Sequence, residues 1–131
     1  MIVLDTHAWV WLISDPERLS KVARNAIEKD IENRAIHVSS ISAWEIALLT
    51  KRGRLKLSMD VADWISASES LPVLKFIPVD NRIALRSTVL PGRLHDDPAD
   101  RIIVATALLL GATLITRDDK LLRYRHVDTL W

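Results

Sequence analysis

The stretch LHDDPADRIIVATALLLGATLITRDDKLL, residues 94–122, combines a helix start, a nearly all-apolar helix, a stop and a strand. Asp97 is a suitable N-cap, and Pro98 fits the first helical position, where a missing N–H costs nothing. Apolar side chains cover most of the circumference of this helix, so we predict that it is deeply buried. Gly111 permits the left-handed conformation that ends many helices, and residues 112–116 form the next predicted strand.

Strands and helices alternate along the rest of the chain. Further strands are predicted at Ile2–Leu4, Ile36–Ser39, 73–79 and 127–130. Helical segments are predicted at 8–13, 19–31, 43–51, 61–70 and 81–87, the last two capped by Asp60 and Asp80. This alternation is typical of a parallel sheet covered by helices on both faces. We predict one α/β domain over residues 1–131, with a central parallel sheet of about five strands.

Composition excludes several classes of protein. The 131 residues carry a net charge of +1 and contain no cysteine, which rules out disulfides, zinc–thiolate sites and cysteine nucleophiles. The apolar N-terminal residues lack a basic segment and include Asp5 and His7, so a signal peptide is not expected. No uncharged run approaches the roughly 18 residues of a membrane span. We therefore expect a cytoplasmic protein with no membrane association.

Four acidic residues from distant parts of the chain are predicted to meet at one edge of the sheet. Asp5 ends the first strand, and Glu45 opens the helix after the second. Asp100 lies in the first turn of the buried helix, and Asp118 follows the next strand. Because ligands of parallel sheets bind beyond the carboxyl ends of the strands, this edge is the expected site.

Crowded carboxylates repel one another, and one or more would take up a proton. A divalent cation removes this cost, and oxygen ligands without cysteine favour Mg²⁺ or Mn²⁺ over zinc. Such ions support phosphodiester hydrolysis by polarising a phosphoryl oxygen and lowering the pKa of a bound water. The acidic edge therefore predicts metal-dependent hydrolysis of phosphodiesters.

Each acid also has a structural interpretation. Glu45 follows Ser42 by three residues, which is the spacing of a capping box. Asp100 is favourable at the positive end of a helix dipole, and Asp118 or Asp119 can cap the last short helix. Asp5 has few structural alternatives, because it ends a strand expected to be buried on both faces. The shared edge of the four acids favours the site interpretation.

The same residues carry a resemblance to a known family. Asp5 in IVLDTHAWVW, Glu45 in SSISAWEIA, Asp100 in HDDPADRIIVATA and Asp118 in LITRDDKLL resemble the acidic motifs of the PIN domain, in particular those of VapC-type toxins of bacterial toxin–antitoxin pairs. The resemblance implies a PIN-like three-layer α/β/α sandwich and Mg²⁺- or Mn²⁺-dependent endoribonuclease activity on structured RNA such as tRNA or rRNA. It also implies an antitoxin that blocks the site, and a homodimer. Asp5 and Asp100 would be the principal metal ligands, with Glu45 and Asp118 holding waters or a second ion.

Further residues enter the site only through this resemblance. Thr116 matches a hydroxyl position often found near the site of the family. Thr6 would at most contact the metal ligands and would not bind the metal itself. Asp97 and Asp119 duplicate neighbouring acids in the motifs. If the register shifts by one, Asp119 would stand in for Asp118.

Basic residues near the acids have two interpretations. The segment KRGRLK at 51–56, together with Arg117, could contact RNA phosphates or form solvated helix ends. Arg101 is expected to pair with a neighbouring carboxylate. His7 and His95 are expected to be hydrogen-bonded neighbours of the site rather than ligands or bases.

The tryptophans have two interpretations as well. Trp9, Trp11 and Trp44 could stack on bases, although tryptophan is more often a core or interface residue. Trp9 and Trp11 are two residues apart and face different directions on a helix, so at least one should lie near the surface. An antitoxin or dimer contact is the favoured interpretation.

Two other functions fit the sequence less well. A non-catalytic PIN-like module, acting only through an antitoxin and DNA, would not need four crowded carboxylates. A phosphatase-like doubly wound enzyme with Asp5 as nucleophile usually has a second acid two residues on, where this chain has His7.

Overall fold

The five strands of the protein form one parallel sheet in a computed structural model that describes all 131 residues. The strands are β1 (Ile2–Leu4), β2 (Ile36–Ser39), β3 (Leu74–Ile77), β4 (Thr113–Ile115) and β5 (Thr129–Leu130). Their order is β3-β2-β1-β4-β5, and every neighbouring pair is parallel. The strand order therefore reverses between β1 and β4, where ligands of such sheets bind.

Seven α-helices connect and flank the strands. They are α1 (Thr6–Ser14), α2 (Lys21–Ile31), α3 (Ser40–Lys51), α4 (Val61–Glu69), α5 (Asn81–Thr88), α6 (Pro98–Leu110) and α7 (Asp119–Leu122), with a 3-10 turn at Pro16–Arg18. None of them combines the length and the apolar character that crossing a membrane requires. The predicted α/β fold with a parallel sheet of about five strands is confirmed.

Two cores form because the central strand is buried on both faces. Ile2 and Leu4 belong to a core with residues of α1, α2 and α4, whereas Val3 belongs to a second core with residues of α5 and α6. The three β1 side chains are at most 4% exposed. Because side chains alternate between the faces of a strand, an uninterrupted apolar run such as IVL is what a central parallel strand requires.

Several helix caps agree with the sequence. Asp60, Asp80 and Asp97 each accept a backbone N–H at the start of α4, α5 and α6. Gly111 ends α6 in the left-handed conformation, with a φ of 64°. These caps fix where α6 begins, and hence where Asp100 lies.

The predicted start of α3 is wrong. Ser39 caps the helix by accepting the backbone N–H of Ile41 at 3.2 Å, so α3 begins at Ser40 rather than after Ser42. Ser42 lies inside the helix and is fully buried, and it forms no capping box with Glu45. β2 runs directly into α3, so the first available serine takes the capping position.

Candidate active site

An open pocket of about 570 Å³ lies beyond the carboxyl ends of β1 and β4. Its wall contains six carboxylates, one arginine and three other residues, which are Asp5, Thr6, His7, Trp11, Glu45, Asp97, Asp100, Arg117, Asp118 and Asp119. The four acids predicted from separate motifs therefore share one pocket, as do Thr6, Asp97 and Asp119. Thr116 is fully buried behind the wall.

Asp5 is fixed by hydrogen bonds to both carboxylate oxygens. Oδ1 accepts the backbone N–H of Ala8 at 2.8 Å, which makes Asp5 the N-cap of α1. Oδ2 accepts a hydrogen bond from the hydroxyl of Thr116. Burial raises the pKa of Asp5 above its ordinary value, the two hydrogen bonds oppose this, and the charge of Glu45 adds to it. Asp5 was expected to have few structural roles, but it is the N-cap of α1.

Glu45 is held by the hydroxyl of Thr6. It lies on the second turn of α3, and its Oε1 accepts a hydrogen bond from Thr6 Oγ1. The same Thr6 oxygen lies 2.9 Å from the hydroxyl oxygen of Ser42. Ser42 and Glu45 of α3 therefore both contact Thr6 of α1, and they do not form a cap of α3.

Asp100 is paired with His95 of the preceding loop. The distance between His95 Nε2 and Asp100 Oδ2 is 2.7 Å, and the backbone N–H of Asp100 donates to Asp97 at 2.9 Å. Burial raises the pKa of Asp100 to about 6, with the His95 hydrogen bond opposing and the charges of Asp97 and Glu45 adding. Because Glu45 disfavours ionisation of both Asp5 and Asp100, these three carboxylates experience one shared electrostatic field.

Asp118 caps the last helix of the chain. Its Oδ1 accepts the backbone N–H groups of Lys120 and Leu121 at 2.8 and 3.3 Å. Its own N–H donates to Thr116 Oγ1 at 3.1 Å, so one threonine links Asp118 to Asp5. Asp119 also lines the pocket, but it is exposed and accepts no side-chain hydrogen bond.

The carboxylates face one pocket without forming a closed cage. No three acidic or histidine side chains are close enough together to hold a metal ion directly. Mg²⁺ usually keeps several of its waters and binds only one or two protein carboxylates. The oxygen donors therefore fit a hard divalent ion held in part through water, with Asp5, Asp100, Glu45 and Asp118 as the available ligands.

Three residues of the pocket wall were named in the sequence only as a neighbour of the site (His7) or as possible RNA contacts (Trp11 and Arg117), and not as site residues. His7 and Trp11 lie four residues apart on α1, so they share a face of the helix, and their ring centroids are 5.7 Å apart. The four-residue spacing of His7 and Trp11 was the sequence signal that could have placed both on the same face of the helix. Arg117 completes the wall, whereas Trp9 is fully buried in the core and Trp44 is 52% exposed outside the pocket.

Arg101 does not pair with a carboxylate, which corrects the expectation for this residue. Its Nε donates to the carbonyl of Ser87 and its Nη1 to that of Leu94, both at 2.9 Å. These bonds tie the loop before α6 to the helix. His95, by contrast, is the hydrogen-bonded neighbour that was predicted.

Comparison with known proteins agrees with this geometry. The family model of the PIN domain matches residues 2–127, and the chain belongs to the PIN-domain family. Ribonuclease VapC22 of Mycobacterium tuberculosis is 34% identical over 132 residues, covering 99% of this chain and 98% of the relative. Within the family the chain is of the VapC type, which confirms the resemblance found in the sequence.

Solved structures share the fold over nearly the whole chain. A toxin–antitoxin complex from Klebsiella pneumoniae has a TM-score of 0.65 at 23% identity, covering 97% of this chain and 95% of that one. DNA-bound VapBC from Salmonella typhimurium has a TM-score of 0.69 at 16% identity, covering 98% and 96%.

Proposed function

We propose that the protein is a metal-dependent endoribonuclease, the toxin of a toxin–antitoxin pair, which hydrolyses phosphodiester bonds of structured RNA such as tRNA or rRNA. The observation that carries the proposal is the pocket where Asp5, Glu45, Asp100 and Asp118 meet between β1 and β4. The 34% identity to a ribonuclease supports the reaction class. The choice of RNA follows only from the family resemblance.

Asp5 and Asp100 are the proposed principal ligands of Mg²⁺ or Mn²⁺, with Glu45 and Asp118 holding its waters or a second ion. The raised pKa of Asp5 and of Asp100 supports this assignment, because both carboxylates lack a positive partner strong enough to offset their burial. When bound, the ion supplies charge stabilisation at the phosphoryl oxygens and lowers the pKa of a water.

The residues around these carboxylates fix their orientation before any ligand binds. Thr116 and the N–H of Ala8 hold the two oxygens of Asp5, and Thr6 holds Glu45. His95 restrains one oxygen of Asp100. Ligands held in this way need little rearrangement, which favours affinity and rate alike. Thr6 and Thr116 thus orient the proposed ligands by hydrogen bonds and are not ligands themselves.

The distribution of charge supports an anionic polymer as the substrate. Six of the 17 acidic residues line the pocket, leaving 11 (17 less 6) elsewhere, whereas 17 of the 18 lysines and arginines lie outside it. The rest of the molecule is therefore net positive, and its exposed basic residues include Lys51, Arg52, Arg54 and Lys56. Such a surface attracts RNA phosphates, while the pocket attracts the cation.

An antitoxin partner and a homodimer are part of the proposal. Both rest on the family, and the solved relatives include a toxin–antitoxin complex. Size-exclusion chromatography with light scattering tests the homodimer, and co-expression with the candidate antitoxin followed by a cleavage assay tests inhibition.

The decisive experiment is cleavage of total bacterial RNA by purified, antitoxin-free protein. We expect discrete fragments with Mg²⁺ or Mn²⁺ and none with EDTA. Asp5→Asn and Asp100→Asn should abolish cleavage while the circular dichroism spectrum stays unchanged. Absence of cleavage by folded wild-type protein would favour the non-catalytic binding module instead.

Asp119→Asn is the matched control, because Asp119 lines the same pocket without a fixing hydrogen bond. We expect it to retain most of the activity, whereas Asp118→Asn should lose it. The opposite result would show that Asp119 is the fourth acid of the site.

A further inference from the structure

We infer that Arg117 binds a phosphate group of the RNA and that Trp11 positions the Arg117 guanidinium for this contact; the inference rests on the proposed ribonuclease function. Arg117 is the one lysine or arginine that lines the acidic pocket. It follows β4 and directly precedes Asp118, at the edge where the strand order reverses. A cation there lies beside any phosphodiester that is held near the four acids.

Arg117 is unpaired although six carboxylates share its pocket. The chain contains three ion pairs, and Arg117 takes part in none of them. An exposed arginine beside a cluster of acids is ordinarily attracted to the nearest carboxylate. An unpaired guanidinium keeps its five N–H donors for a ligand, and its planar fork matches the oxygens of a phosphate.

The ring of Trp11 explains why Arg117 remains at the pocket wall. The guanidinium carbon of Arg117 lies 5.9 Å from the centroid of this ring, which is within the range of a cation–π contact. Trp11 is itself held between other rings, with centroids 5.6 Å from Trp131 and 5.7 Å from His7. Because β1 and β4 are neighbours, α1 and the residues after β4 meet at this edge.

Arg18 is a matched control on the same tryptophan. Its guanidinium carbon lies 5.6 Å from the Trp11 ring, but its Nε is paired with Asp15 Oδ2 at 3.5 Å. Arg18 does not line the pocket. Substituting either arginine removes one positive charge and one cation–π contact. Arg117→Ala takes a cation out of the pocket, whereas Arg18→Ala breaks an exposed ion pair with Asp15 outside it.

The test is binding of a labelled single-stranded RNA to non-cleaving Asp100→Asn protein, measured by fluorescence anisotropy over a range of salt concentrations. We expect Arg117→Ala to weaken binding roughly tenfold, as for the loss of a hydrogen bond to a charged group. The slope of log K against log salt should fall by about 0.7, the value for one lost phosphate contact on a single strand. Arg18→Ala should leave both quantities near those of the parent.

An unchanged slope for Arg117→Ala, or equal effects of the two arginine variants, would overturn the inference. Cleavage of total RNA by the wild-type protein, which carries none of these substitutions, is measured in parallel. If that protein cleaves no RNA, the proposed function fails; if it cleaves RNA and the slope is unchanged, only the role of Arg117 fails.

The positioning role of Trp11 is tested by a double-mutant cycle. Trp11→Leu should weaken RNA binding when Arg117 is present and have no further effect in the Arg117→Ala background. Equal weakening in both backgrounds would show that Trp11 stacks directly on a base, which overturns its positioning role. Trp11→Phe, which keeps a ring face, should restore part of the binding and guards against a general loss of structure.

Discussion

Asp100 should make the stability of the metal-free protein depend on pH. Its pKa is raised from 3.8 to about 6, so the folded state binds more protons than the unfolded state between these values. Stability therefore falls as the pH rises through this window. In EDTA at pH 7.5, Asp100→Asn should be more stable than wild type by about 1–2 kcal/mol, a figure reduced for the partial exposure of this side chain. Urea denaturation measures the difference.

The Asn side chain is a close match for Asp100, because its carbonyl oxygen can still accept from His95. The stability difference between the two proteins should grow between pH 4 and pH 6 and then level off. A difference of the same size at pH 4 and pH 7.5 would contradict the assignment. Asp119→Asn in the same pocket should change stability by less than about 0.5 kcal/mol, as is usual for exposed positions.

Thr116 should contribute to stability and to metal affinity through its hydrogen bonds to Asp5 and Asp118. Thr116→Val removes the hydroxyl that donates to Asp5 and accepts from the N–H of Asp118. We expect a loss of about 1–3 kcal/mol in stability, because these buried groups lose their partner, and a higher Mg²⁺ requirement for cleavage. Thr116→Ser keeps the hydroxyl and should retain most of both. If valine and serine behave alike, the hydroxyl has no role.

Single residues show both what the sequence could predict and where it failed. Asp5 and Glu45 were correctly predicted to face the same edge, because strand ends and helix starts follow from the apolar pattern. Their structural roles differ from the alternatives that the sequence offered: Asp5 caps α1, whereas Glu45 belongs to no cap and accepts a hydrogen bond from Thr6. A hydrogen bond between residues 39 positions apart depends on how two helices pack, which periodicity does not contain.

At the scale of elements, the start of α6 should depend on Asp97 as a cap and not as a metal ligand. Asp97 accepts the backbone N–H of Asp100 at 2.9 Å. Asp97→Ala should therefore lower stability by about 1 kcal/mol. Asp97→Asn keeps a good N-cap and should retain stability and cleavage. Loss of cleavage in a stable Asp97→Asn protein would instead place this residue among the ligands.

The elements also show why some boundaries were predictable. Asp60, Asp80 and Asp97 each directly precede a helical segment, and Pro98 after Asp97 fixes the first helical position, so their capping role was predictable and is confirmed. Several serines lie near the start of α3, and Ser42 and Glu45 have the spacing of a capping box without forming one. Ser39 takes the cap instead, because β2 leads into the helix without a loop, a feature of the tertiary structure.

The whole molecule brings the acids together through its strand order. Alternating elements predicted a parallel sheet, but not that β1 lies between β2 and β4. That order places α1 beside the residues after β4, and so Trp11 beside Arg117. No local pattern encodes this contact, which is why Trp11 and Arg117 appeared in the sequence only as separate candidates for RNA contact and not as a pair.

The proposed metal site should couple the stability of the whole domain to divalent ions. A ligand that binds only the folded state stabilises it by about 2.7 kcal/mol at 100 times its Kd. Wild-type protein should therefore gain stability as Mg²⁺ rises, in urea denaturation at constant ionic strength, since general salt screening also weakens repulsion. Asp5→Asn should start more stable than wild type in EDTA, because a buried charge is removed.

With Mg²⁺ the order of stability should reverse, because Asp5→Asn lacks a principal ligand and gains little. The crossing of the two titrations is the distinctive result, since a purely structural role of Asp5 as the α1 cap predicts no dependence on Mg²⁺. Asn also caps helices well, so the cap itself is conserved in the comparison. Parallel titrations, in which both proteins gain equally from Mg²⁺, would mean that the ion acts elsewhere on the surface and that Asp5 does not bind it.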